Sequence, residues 1–400
     1  MDYDKEERIR NSLFCKVLRE ALWGGEVFEV VSPAEYEQLH RELQEHAISD
    51  IPANILRRLP GLPKELYEVW RAETLTQIPL FLNYLQQQDS CIALLKMQGI
   101  PCAVLKGAAS AKYYPIPEYR QMGDIDLLIS PADKEKAHQA LQECGYCKIE
   151  CDRSVQAFKK DDLVVEIHTG FETHRNDALT EKISALLLND LRKPTEIELL
   201  QYRFPTLSPE CTGVLLLAHM AKHFEKELGF RQVIDWMLYA DKVLTDEVWQ
   251  NTMQKLLQSY QLEQFAVTVT AMCQRYFGLH TQKMTWCAQA DPELCMELFE
   301  HIWKSGNMGR NLKGSHSGMA KILRRKSLWE MVSNLQERGF AKWEYAHQHP
   351  AARPFAWAYQ IRFLLKLYFS SDFDRSLATV AEDRKWLVTA ENLAERLHLQ

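Results

Sequence analysis

The sequence predicts an α+β protein, a compact α+β unit set between long helical flanks. Two observations carry that prediction. Apolar residues keep a helical period through the first hundred positions, change to short apolar or alternating runs between Ile100 and Thr169, and return to a helical period from Ser208 onward. Helix starts and Gly stops stand at the joins, which divides the chain into an N-terminal helical region (1–78), an α+β core (79–206) and a larger C-terminal all-helical region (207–400).

In chain order, Ser32-Pro33-Ala34-Glu35 supplies an N-cap, a Pro at the first helical position and a Glu three residues on. It starts a helix that runs to about His46. Lys64 to Met97 is helical, with Pro79 read as a break or kink and Gly99 as the stop. Ile100–Leu105 is a short strand that leaves through Gly107 into a small-residue helix, and Ile125–Ser130 is a second strand. Ser130-Pro131-Ala132-Asp133 opens a helix to about Cys144, closed by Gly145. Lys148–Phe158 and Leu163–Thr169 read as two more strands around the turn-like Lys159–Asp162. Ser208-Pro209-Glu210 and Thr245-Asp246-Glu247 cap helices further on.

The 400 residues are 46% hydrophobic, enough to bury a sizeable core, and 48 Lys and Arg against 54 Asp and Glu leave a net charge of −6. No apolar run approaches the roughly 18 residues of a membrane span. The acidic start MDYDKEERIR is unlike a signal peptide, so a cytoplasmic location with reduced thiols is expected. Cys144, Cys147 and Cys151 lack a fourth zinc ligand and read as structural thiols, with Cys147, Ile149 and Cys151 on one strand face. Residues 301–370 hold twelve Lys and Arg against three Glu, a local +9 interleaved with aromatics. No RNA-binding motif accompanies them and no role is assigned. The chain is thus electrostatically divided, and net acidity does not exclude a local contact with RNA.

The chemistry-bearing residues lie in the α+β core. Gly123-Asp124-Ile125-Asp126-Leu127 places two acids two residues apart, so period-two alternation sends Asp124 and Asp126 to one face and Ile125 and Leu127 to the core. Folding gains nothing from two like charges side by side, whereas a divalent cation resolves the conflict. Glu166, in Leu163-Val164-Val165-Glu166-Ile167-His168, is a third strand acid. His168 shares its face, either orienting an acceptor or serving as a hydrogen-bonded structural histidine. Upstream, Lys106-Gly107-Ala108-Ala109-Ser110 is a strand, a Gly turn and a helix start, where Gly107 admits a phosphate and Lys106 and Ser110 add donors. Arg120 pairs with a phosphate or with one of the acids. His219, Lys222, His223 and Lys226 share one helix face, a basic stripe or a solvated one. Arg231 and Asp235 are four apart, as in a helical ion pair.

Lys106-Gly107, Tyr114, Pro115, Arg120, Gly123-Asp124-Ile125-Asp126 and Val165-Glu166-Ile167-His168 together resemble the uncharacterised nucleotidyltransferase family of the polymerase-β-like superfamily. The core match covers about residues 80–190. H-x-x-K-H at His219–His223, then Arg231 and Asp235, extend it to about residue 240. Ala108 stands where the superfamily's turn usually has Gly or Ser. The resemblance implies a polymerase-β-like core in which Asp124, Asp126 and Glu166 bind two Mg²⁺ ions, with Mn²⁺ as an alternative. It also implies that Gly107 and its neighbours hold an NTP, ATP being favoured, and that His219, His223, Arg231 and Asp235 support the site. The expected reaction is transfer of an NMP, AMP by preference, to an acceptor the sequence does not name, with release of pyrophosphate. A catalytically silent module that binds a nucleotide or a partner protein through the same cleft stays open at this point.

Overall fold

The computed structural model describes residues 3–149, 155–171, 178–225, 227–280, 284–307, 335–336, 339–340, 343, 345–346, 349–368 and 377–399. Helices α1 (Tyr3–Arg10), α2 (Leu13–Leu22), α3 (Pro33–Glu45) and α4 (Lys64–Met97) precede the sheet. Ser32 and Glu35 form the reciprocal capping box at the start of α3 that the sequence announces. The expected break at Pro79 does not occur, since α4 continues through it as one helix of 34 residues. Pro79 and Leu75, whose carbonyl loses its donor, both sit on the exposed flank, where water satisfies that carbonyl.

Strands β1 (Cys102–Val104), β2 (Ile125–Ile129), β3 (Cys147–Ile149), β4 (Val155–Lys160), β5 (Leu163–His168), β6 (Thr195–Leu199) and β7 (Tyr202–Thr206) form one sheet in the order β3-β4-β5-β2-β1-β7-β6. α5 (Ala108–Ala111) and α6 (Lys134–Glu143) flank β2 in the chain, and α7 (Ala178–Asp190) follows β5. The sheet is mixed, with β2 parallel to β5 and β1 parallel to β7, while β1 and β2 are antiparallel. The run expected as one strand over Lys148–Phe158 is two antiparallel strands, β3 and β4, and Cys151 lies outside the described residues. The hairpin β6–β7 was not anticipated. Its alternation Thr-Glu-Ile-Glu-Leu fits an edge strand with a wet face, and Leu200 turns at φ 53°.

Beyond β7, α8 (Pro209–His223) and α9 (Phe230–Val243) pack on each other, and α9 also meets α5. One face of the sheet sends Ile125, Leu127, Ile129, Val165 and Ile167 against Phe81, Leu85 and Leu95 of α4 and Leu141 of α6. The other face sends Ala103, Leu105 and Leu128 into a larger helical core that contains Val214, Leu217, Val233 and Met237. Phe14, Leu18, Tyr36 and Trp70 join that same core, so the N-terminal helices are built onto the C-terminal ones. Phe14 lies 5.4 Å from Phe230 and 4.7 Å from Trp303 between ring centroids. Each such fully buried ring contributes about 1.5–3 kcal/mol relative to exposure. No described helix is long and apolar enough to cross a membrane.

Candidate active site

Strand β2 is central, and all five of its residues are buried, more than the half-buried strand the alternation suggests. Its sheet face toward α8 and α9 carries Asp126. Parallel pairing sets Asp126 directly opposite Glu166 and Leu128 opposite His168, so β5 delivers its acid and its histidine beside the buried acid of β2. Asp126, Glu166 and His168 offer ligand atoms that all lie within 4.8 Å of one another, and among the described residues no other group of His, Cys, Asp and Glu does so. His168 Nε2 is 2.8 Å from Asp126 Oδ1 and 3.5 Å from Glu166 Oε2. The Glu166 side chain is 25% exposed against 2% for Asp126, so the pair has one solvent-facing member and one sealed member.

Lys106 follows β1, where its neighbour Leu105 donates its backbone N–H to the Asp126 carbonyl at 3.1 Å. That tie brings the Lys106 ammonium to 3.0 Å from Asp126 Oδ1. Burial opposes ionisation of Asp126, but Lys106 and His168 overcome it and hold the carboxyl well below the usual carboxylate range. Asp124 stands just before β2, half-buried. The neighbouring Asp126 charge first, and burial second, push its carboxyl up to about 6. The conflict foreseen in the D-x-D pattern is therefore present, and it falls on Asp124.

Gly107 caps α5 at φ 57°, ψ −110°, a conformation that favours glycine. Its α-carbon lies against the loop that bears the acids, since a Cβ there would sit 3.8 Å from the Asp124 carbonyl oxygen. Ser110, expected as a phosphate donor, is buried instead, with a hydroxyl that has no partner among the described residues.

The basic residues divide differently from the expectation. Asp235 does not pair with Arg231. Arg120 takes it through two hydrogen bonds of 2.8 and 2.7 Å, and the Tyr114 hydroxyl donates a third at 2.8 Å. Arg120 is thus fixed to an acid of α9 and not to the acid pair. Arg231 donates to the Gln121 carbonyl at 3.2 Å and has no carboxylate partner among the described residues. Burial first, and the Arg120 charge second, lower its affinity for a proton. A half-buried guanidinium that touches no carboxylate among the described residues and lies near Asp124 is a candidate anion site.

The His219–His223 stripe is not a row of cations. Burial, then the Lys106 charge, keep the His219 imidazole neutral far below its ordinary value. Its Nε2 lies 3.3 Å from the Lys106 ammonium. A lysine ammonium can only donate, so Nε2 accepts and the ring proton sits on Nδ1. His223 Nδ1 pairs with Glu227 at 2.7 Å, and Lys226 lies outside the described residues. His219 and His223 stack edge to face at 4.5 Å without a third ligand among the described residues, so they form no zinc site. The nine described cysteines are free thiols, with Cys144 and Cys147 exposed.

Two supports escaped the sequence. Tyr84 of α4 donates to the Gly123 carbonyl at 2.9 Å, and the Gln121 amide donates to Asp50 at 2.7 Å. Both pin the 120–124 loop from elements remote in the chain, and no local pattern announces them.

The donor set suits a divalent cation, since two carboxylates and an imidazole converge. The imidazole nitrogen adds a ligand type that Mn²⁺ accepts more readily than Mg²⁺. No curated protein matches the chain. A family model described as uncharacterised nucleotidyltransferase matches residues 32–278, taking in the sheet, every candidate site residue and helices α8 and α9. The chain belongs to the uncharacterised nucleotidyltransferase family.

Proposed function

We propose that the protein is a metal-dependent nucleotidyltransferase that moves an NMP, AMP by preference, from an NTP to an acceptor bearing a hydroxyl or similar nucleophile. The observation that supports it most is the register that sets Asp126 opposite Glu166 with His168 at their side. Asp124, Asp126 and Glu166, joined by His168, would hold the divalent cation, Mg²⁺ or Mn²⁺. When bound, it offsets charge on the α-phosphate and on the departing pyrophosphate.

Arg231 receives phosphate oxygens, because it is the site's guanidinium without an acid partner. Gly107 lets the triphosphate approach the backbone, and Lys106 adds a charge-assisted donor. Arg120 and Asp235 act through position, locking the loop that carries Asp124 against α9. Glu166, the accessible acid of the pair, takes the proton from the acceptor hydroxyl. The acceptor oxygen bonds to the α-phosphorus as the bond to the β-phosphate oxygen breaks, and pyrophosphate leaves.

Transfer from α-labelled ATP in an acceptor screen, with pyrophosphate release followed in parallel, tests this reading. Asp126→Asn is expected to reduce both by about 10²–10³-fold or more while the far-UV spectrum is retained. Full activity in that variant would overturn it. Cation-dependent NTP binding with no pyrophosphate from any acceptor would favour the silent binding module.

A further inference from the structure

The Asp126 Oδ1 atom is already doubly engaged. His168 Nε2 reaches it at 2.8 Å and the Lys106 ammonium at 3.0 Å. Only 19% of the Lys106 side chain is exposed, and its second neighbour is the neutral ring of His219 at 3.3 Å. A protonated histidine there would drive the ammonium out, whereas a neutral acceptor holds it in place. Lys106 therefore occupies the side of Asp126 that faces α8, as a single positive charge set where a cation ligand has to be reached.

Two positive charges at one carboxylate repel each other strongly in a poorly solvated cleft. While the Lys106 ammonium stays on Oδ1 it weakens the hold of Asp126 on a divalent cation, and a second anion nearby is needed to draw it away. The carboxylates Asp124 and Glu166 belong to the same cluster, so neither provides a separate destination. A polyphosphate does, because it brings several negative charges next to Lys106 and Arg231 at once.

We infer that Lys106 is a resident countercation whose transfer from Asp126 to the triphosphate makes binding of the divalent cation depend on the nucleotide. This rests on the reading of Asp126 as a cation ligand. The protein alone then binds a divalent cation weakly and takes it up together with an NTP. Lys106 is a positioning residue on this account, since it acts on cation affinity through Asp126.

Mn²⁺ titration of the full chain, read by the loss of the free Mn²⁺ resonance, tests the coupling with and without a non-hydrolysable ATP analogue. In the wild type, once the Mn²⁺ that the analogue binds in a protein-free control is subtracted, the analogue is expected to tighten Mn²⁺ binding to the protein at least tenfold, about 1.4 kcal/mol. Lys106→Met and Lys106→Gln are expected to bind Mn²⁺ without nucleotide at least tenfold more tightly than the wild type, and Lys106→Arg to behave as the wild type. Equal Mn²⁺ affinity with and without the analogue in the wild type overturns the inference without recourse to any variant. So does unchanged nucleotide-free affinity in both charge-removing variants. Asp126→Asn separates the two levels: if it binds Mn²⁺ and the analogue as the wild type does, the cation site itself is misassigned. If it loses them while the Lys106 variants stay unchanged, only the role of Lys106 falls.

Discussion

Arg120 and Asp235 form a fully buried, two-point ion pair between the loop that precedes β2 and helix α9, with the Tyr114 hydroxyl on the same carboxylate. Removing one partner leaves the other charge stranded. Asp235→Ala is expected to cost about 3–5 kcal/mol of stability. Arg120→Lys should recover little, because an ammonium cannot reproduce the fork. Urea unfolding measures both, and a loss below about 1 kcal/mol in Asp235→Ala would show that the loop is held by other contacts.

Arg231 offers the opposite balance. Its charge is half-buried with no carboxylate in contact among the described residues, so folding tolerates it at a cost. Arg231→Gln is expected to raise KM for NTP by about tenfold or more, while the melting temperature stays level or rises. An unchanged KM would remove Arg231 from the phosphate site.

The carboxyl of Asp124, pushed up from 3.8 to about 6 by Asp126 and burial, favours its protonated form in the folded chain. Its contribution is thus fully present below about pH 3.8 and is lost as pH rises through about 6. Asp124→Asn should be more stable than the wild type at pH 7–8, and the gap should close toward pH 4. Thermal unfolding across that range checks the sign, and Mn²⁺ added with nucleotide should narrow the difference at neutral pH.

His46 has the reverse dependence. Burial lowers its imidazole from 6.5 to about 3, within a ring cluster of Phe14, Phe230 and Trp303. The stability it contributes is complete above about pH 6.5 and is lost as pH falls toward 3. His46→Gln, which keeps an acceptor for the Phe230 N–H, should flatten the acid limb of the stability–pH curve. Equal slopes between pH 6 and 4 in variant and wild type would show that His46 does not titrate on unfolding.

What could be read from the residues alone was local. Alternation along Ile125–Ile129 and Leu163–His168 gave the faces of Asp126, Glu166 and His168 correctly, because period two is a property of any strand. The Gly107 turn and the α3 capping box are likewise short-range chemistry. Partner choice was not legible. Asp235 is four residues from Arg231 yet binds Arg120, whose guanidinium arrives from 115 residues away with two-point geometry that an i,i+4 pair does not offer. The Gly turn beside Lys106 suggests a phosphate donor but gives no sign of its contact with Asp126, which the β1–β2 pairing sets up. His219 looked basic because burial cannot be read from a helical stripe.

The long reach of the Arg120–Asp235 pair also sets a timetable. As the chain leaves the ribosome, the acids of β2 and β5 emerge well before α8 and α9, and N-terminal segments fold first. Until residue 235 is available, the guanidinium of Arg120 has no buried counter-ion and the loop bearing Asp124 has no anchor on α9. A nascent chain in that condition can pair Asp126 with Glu166 through β2 and β5 but has no α9 anchor for Asp124. A chain cut before residue 235 is therefore expected to leave the Asp124 loop without its ion-pair anchor, whatever sheet it has formed.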